Sequence, residues 1–143
     1  MATRIQENKE HVRRVETAIN EQDNELLSEI FAEDLVHQFH GGREQYDGLD
    51  EYREHLRAFH EAFPDGTIAM EEMVAEGDHV AVRYTASGTH EDEFMGVPPT
   101  GREVAFSGMR IVRLADGKIA EVWGQRDDLG LLVQLGAVDP PAD

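Results

Sequence analysis

The chain has 143 residues, enough for one domain with its own core and too few for two. It is 40% hydrophobic, contains no cysteine, and sets thirty acidic residues against thirteen basic ones for a net charge of −17. These numbers exclude disulfides and thiolate chemistry, and they argue against nucleic acid or an anionic membrane as a partner.

No run of about 18 apolar residues is present, so no membrane-spanning segment is expected. The first residues lack the apolar stretch of a signal peptide, which with the missing cysteines suggests a cytoplasmic protein. Only Lys9 and Lys118 are lysines, and the acids are spread along the whole chain. That pattern is expected of a protein adapted to molar salt, where screening over about 3 Å removes most of the self-repulsion.

Helical periodicity opens the chain. Ile5, Val12, Val15, Ala18 and Ile19 form an apolar stripe. Asp23 and Asn24 interrupt it and cap a short second helix carrying Leu26, Leu27, Ile30 and Phe31. Gly41 and Gly42 lie in a loop. A third helix follows Gly48, with Tyr52, Leu56, Phe59 and Phe63 on one face, and Pro64, Asp65 and Gly66 end it.

The period then changes to two. Residues 67–76 form a strand that turns at Glu76-Gly77-Asp78, and Val80, Val82 and Tyr84 alternate with polar or small neighbours in the next. Pro98 and Pro99 mark a loop, because proline cannot serve a central ladder. Residues 102–114 and 118–126 form a long hairpin through Asp116-Gly117, and an amphipathic segment from Leu129 to Leu135 closes the chain. Helices first and a mostly antiparallel sheet afterwards define an α+β architecture over one domain, residues 1–143.

The stretch Gly96-Val97-Pro98-Pro99-Thr100-Gly101-Arg102 is followed by Asp116-Gly117-Lys118-Ile119, by Trp123, and by Asp127 through Gly136. Together these resemble the SnoaL-like polyketide cyclase family of the nuclear transport factor 2-like superfamily. Phe31 to Val36 and Ala62 to Asp65 also look like family segments. The resemblance covers nearly the whole chain and is strongest from Thr89 onward. It implies a cone-shaped fold with N-terminal helices packed on a curved, mostly antiparallel sheet, and a homodimer paired through that sheet. It also implies a pocket for a small, largely apolar carbonyl compound, with no metal and no cofactor.

The family's cyclases use a carboxylate to remove a proton beside a carbonyl, and the enolate closes a ring. Its aspartate falls at Gly124 here, the histidine partner at Arg110, a glutamine at Gly108 and a pocket asparagine at His37. A glycine removes no proton, so the usual mechanism is not expected. With a three-residue connection at Ala115 to Gly117, Arg110 faces Val122 and Gly108 faces Gly124. Phe106, Gly108, Arg110, Val112, Ala120, Val122, Gly124 and Arg126 then share the pocket face, and the two glycines enlarge it. A two-residue turn would pair Arg110 with Trp123 instead.

Arg110 carries two readings: an anchor for a carboxylate or enolate oxygen, or the partner of a buried acid such as Glu72 or Glu121. Asp127 is either a displaced base or the cap of the terminal helix. His37 and His90 are the histidines best placed for the pocket, and a neutral histidine can act as a base near pH 7. His37-Gln38-Phe39-His40 lacks the spacing of a helical metal motif, so no metal site is expected. Trp123 is read as core or subunit interface.

Three functions are compatible with these residues: a cofactor-independent cyclase, isomerase or dehydratase using His37 and Arg110; a non-catalytic small-molecule binder; and a dimeric scaffold whose pocket is closed by Phe106 and Met109. The charge pattern makes the most direct prediction. The melting temperature followed by circular dichroism should rise from dilute buffer to molar KCl. An unchanged value would remove the salt-adaptation argument.

Overall fold

The computed structural model describes residues 3–39 and 45–142. Gly41, Gly42 and His40 lie outside the described residues.

Helix α1 (Arg4–Asn20) starts at Thr3, whose hydroxyl accepts from the Gln6 backbone N–H while the Gln6 side chain accepts from Thr3 N–H. Val12, Val15, Ala18 and Ile19 are buried as the stripe predicts, whereas Ile5, in the first turn, is 39% exposed. Helix α2 (Asn24–Ile30) is capped by Asp23, which accepts from Leu26 N–H.

Phe31 does not belong to α2. It opens strand β1 (Phe31–Phe39), an element the periodicity did not announce. Glu33 and Asp34 are consecutive exposed residues, and the pairing of β1 slips between Phe31 and Val36. That irregularity breaks the alternation by which a strand is recognised. A short β2 (Tyr46–Asp47) pairs with β1. Helix α3 (Leu49–Ala62) buries Leu49, Tyr52, Phe59 and Ala62. Beyond it, Asp65 accepts from the Thr89 N–H at 2.7 Å and from the Thr89 hydroxyl at 2.8 Å, tying the helix end to the sheet.

Strands β3 (Thr67–Glu76), β4 (His79–Thr89), β5 (Glu103–Ala115) and β6 (Lys118–Arg126) follow, and α4 (Asp128–Gln134) ends the fold. The six-stranded sheet has the order β2-β1-β6-β5-β4-β3. All neighbours are antiparallel except β1 and β6, which run parallel. Val80, Val82, Tyr84 and Ala86 on β4 and Val104, Phe106, Val112 and Leu114 on β5 face a core shared with all four helices. On the opposite face Val74, Met109 and Ile111 are exposed. This is the α+β cone expected from the element order and the resemblance.

The β5–β6 hairpin corrects the expected register. Arg110 pairs with Gly124, Gly108 with Arg126 and Val112 with Val122. The turn has two residues, Asp116 and Gly117, both with positive φ (52° and 77°), as a type I′ turn requires. Between the Leu114–Ile119 and Arg113–Glu121 pairs β6 carries one extra residue, Ala120. This bulge shifts the pairing beyond it by one position and puts Ile119, not Ala120, in the core. The even-numbered residues of both strands still share a face from Val122 to Arg126, so the expected face survives through a different device.

Candidate functional site

The inner face of the sheet and the inner faces of α1 and α3 enclose a small chamber. Its polar lining consists of His37, Tyr52, His55, Tyr84, Arg110 and Arg126, and its apolar lining of Ile19, Leu56, Phe59, Ile68, Ala86 and Phe106. Its volume is about 40 Å³. A single water needs about 10–15 Å³ by this measure, so only a few waters fit.

Arg110 is the central group. Its Nη1 donates to the Tyr52 hydroxyl at 3.1 Å, and its guanidinium carbon lies 4.7 Å from the centre of the Tyr84 ring. Among the described residues no carboxylate pairs with it. The acids considered as partners are engaged elsewhere, Glu72 with Arg83 and Glu121 with Arg113. Burial opposes the charge of Arg110, but the phenol oxygens of Tyr52 and Tyr84 outweigh burial and hold its pKa above the ordinary value.

Gly108 explains how Tyr84 reaches this position. The two residues are cross-strand partners, and a Cβ on Gly108 would collide with the Tyr84 phenol. The glycine therefore does not enlarge the chamber as expected. Its missing side chain is replaced by the tyrosine ring that carries Arg110.

His37 is 1% exposed, its ring centre 5.0 Å from that of Tyr52 and 5.6 Å from that of Tyr46. Burial first, then the positive charge of Arg110 and the proximity of His55, lower its pKa from 6.5 to about 2. His37 is thus neutral at physiological pH and a poor proton acceptor, against its expected role as base. His55 sits beside it, with its Nδ1 2.8 Å from the Tyr46 hydroxyl. Arg126 pairs with Asp128 at 2.6 Å and lies over the Phe94 ring.

The SnoaL-like polyketide cyclase family matches residues 9–135. The chain belongs to the SnoaL-like polyketide cyclase family. Among solved structures it is similar to IdmH from Streptomyces antibioticus, described as a candidate polyketide cyclase, with 34% identity, coverage of 90% of this chain and 98% of that one, and a TM-score of 0.78. AclR from Streptomyces galilaeus, described as a candidate hydroxylase, shows 29% identity, 97% and 87% coverage, and a TM-score of 0.84. A candidate SnoaL-like polyketide cyclase from Jannaschia sp. CCS1 shows 26% identity, 99% coverage of both chains, and a TM-score of 0.85. Comparison with curated proteins gave no match.

Within this SnoaL-like fold the residues singled out from sequence separate into two groups. His37, Arg110 and Phe106 line the chamber. Gly108, Val122 and Gly124 share the inner face without lining it, and Gly124 lies between Phe39 and Arg110 in the sheet. His90 is fully buried away from the chamber, where its Nδ1 accepts from Thr100 N–H at 3.2 Å and so anchors the Pro98-Pro99 loop. Asp127 accepts from Gly130 N–H at 2.9 Å and caps α4. Met109 is 59% exposed and does not fill the chamber. Trp123 lies on the outer face, stacked on His79 with ring centres 6.1 Å apart. Among the described residues no group of three or more His, Asp or Glu side chains gathers to hold a metal.

Sequence reasoning did not assign chamber roles to Tyr52, His55 and Tyr84. The signal was present for the first two: Tyr52, His55, Leu56 and Phe59 fall at helical spacing on one face of α3. Tyr84 follows Val80 and Val82 on the inward side of β4, but its place over Gly108 depends on the pairing of two strands.

The electrostatics give a pH prediction. The native His37 pKa lies far below the unfolded value of about 6.5. Between about 2 and 6.5 the unfolded chain therefore binds a proton here that the native chain does not. Stability from this group is full above pH 6.5 and falls as pH drops, by up to about 1.4 kcal/mol per pH unit. By NMR the His37 ring should show no titration from pH 8 to pH 5, and Arg110→Met should move its pKa upward. A midpoint near 6.5 in the wild-type chain would contradict this environment.

Proposed function

We propose that the chain binds a small, largely apolar carbonyl compound through an anionic or enolisable oxygen at Arg110. Conversion then follows by cofactor-free enol chemistry. The observation that carries this reading is a partly buried guanidinium that has no carboxylate partner among the described residues, in a chain of net charge −17. Such a cation attracts an oxyanion, and its planar fork stabilises the negative charge that develops on a carbonyl oxygen when the adjacent carbon loses a proton. The Tyr52 hydroxyl, already on the guanidinium, supplies a second donor to the same oxygen.

The proton acceptor in this reading is His55. It lines the chamber, and the Tyr46 hydroxyl at its Nδ1 fixes the ring, the arrangement that orients an imidazole for proton transfer. His37 serves as a neutral neighbour that shapes the chamber. Asp127 is left to its cap. A second reading, a binder without turnover, draws support from Gly124 at the family's acid/base position and from a chamber lining that has no carboxylate among the described residues. The expected homodimer is supported by the outer face of the sheet, where Val74, Met109 and Ile111 are exposed.

Exchange of the α-protons of 1-tetralone in D2O, followed by NMR, separates these readings. The wild-type chain should accelerate exchange, and Arg110→Met and His55→Gln should each slow it by about 100-fold. Asp127→Asn should keep the activity, since asparagine also caps a helix. Binding without exchange would favour the second reading. Equal exchange in wild type and Arg110→Met would overturn the site.

A further inference from the structure

The Arg110 chamber adjoins a larger recess. A groove of about 340 Å³ lies between α1, α2 and α3. Its apolar part comes from Ala18, Ile19, Leu27 and Leu56, and its polar rim includes Asn24, Arg53, Arg57 and His60. Ile19 and Leu56 line both spaces. On α3 the division follows the helical period: Tyr52, His55 and Phe59 face the chamber, Arg53, Arg57 and His60 face the groove, and Leu56 lies between them.

We infer that groove and chamber are two compartments of one ligand site, with Leu56 as the gate that sets the size of the ligand. This rests on the reading that Arg110 holds the ligand's oxygen. The two spaces differ in volume. A cavity of about 150 Å³ accepts benzene, so the chamber at about 40 Å³ holds no ring as it stands. The groove alone reaches the lower end of the usual range for ligand pockets, about 300–1,000 Å³.

The two shared residues differ in freedom. Ile19 is 2% exposed and β-branched, which makes it stiff on its helix. Leu56 is half-buried, and its side chain can change rotamer without unpacking the core. Turning Leu56 aside joins the apolar floor of the groove to the chamber. The ligand this shape takes is an elongated, mainly apolar acid or enol. Its charged oxygen lies inward on Arg110, and its far end lies in the groove beside Leu27.

Calorimetric titration of the full chain with 2-naphthoate and anthracene-2-carboxylate tests the gate. Leu56→Ala should tighten anthracene-2-carboxylate by about tenfold, and Leu56→Trp should weaken it by at least about tenfold. Arg110→Met should weaken both acids. Melting curves confirm that each variant is folded, and Leu56→Phe replaces Leu56→Trp if the latter is not. If both Leu56 variants stay within about twofold of wild type while Arg110→Met loses binding, the gate is wrong and the Arg110 site stands. If Leu56 variants alter binding and Arg110→Met does not, the ligand sits in the groove alone and the single two-compartment site is wrong. No binding of either acid to wild type or Leu56→Ala overturns both.

Discussion

A guanidinium inside a protein has to be held by something, and among the described residues of this chain it is held by two tyrosines and no carboxylate. Arg110 donates to the Tyr52 hydroxyl and lies on the Tyr84 ring. Much of the site follows from that arrangement. Tyr52 ties α3 to the sheet through its hydroxyl while its ring packs edge-on against Phe31 at 5.2 Å. Tyr84 occupies the space left by Gly108, so the glycine is the condition for the cation's support. Burial first, and then the same positive charge, keep His37 neutral. A carboxylate partner would have satisfied Arg110 more strongly, but it would also have cancelled the charge available to a ligand.

The contrast with the rest of the molecule sharpens this point. Acidic side chains dominate the sequence, and most of the arginines on the surface are engaged by them, as Arg57 is by Glu54 and Glu61. The chamber reverses that sign. Its titratable lining is two arginines, two histidines and two tyrosines. Family membership supplies the container, while the positions where the resemblance places acid and base groups hold Gly124 and Arg110. The proposed chemistry therefore rests on Arg110, Tyr52 and His55 and not on the family's acid/base pair.

Most of the fold was legible in the sequence because its elements are strongly periodic. The stripe on α1, the face of α3 and the alternation along β4 each reflect one buried side. What was not legible depended on pairing. Strand β1 escaped because Glu33 and Asp34 interrupt its alternation where its pairing with β6 slips. The hairpin register depended on Ala120, whose bulge leaves no mark in composition. The site was half legible. His37, Phe106 and Arg110 were found from the resemblance and the strand face, but the contact of Tyr84 with Arg110 across Gly108 exists only when β4 and β5 are aligned. The capping role of Asp127, one of its two readings, follows from its place before α4.

The central claim is that the cation at Arg110 receives the ligand's charged oxygen. A crystal structure of the chain with bound 2-naphthoate tests it most directly. The account predicts a carboxylate oxygen within about 3.2 Å of an Arg110 guanidinium nitrogen, with the rings directed past Leu56 toward the groove. A carboxylate bound instead at Arg53 or Arg57, with Arg110 still resting on Tyr52 and Tyr84, would contradict it.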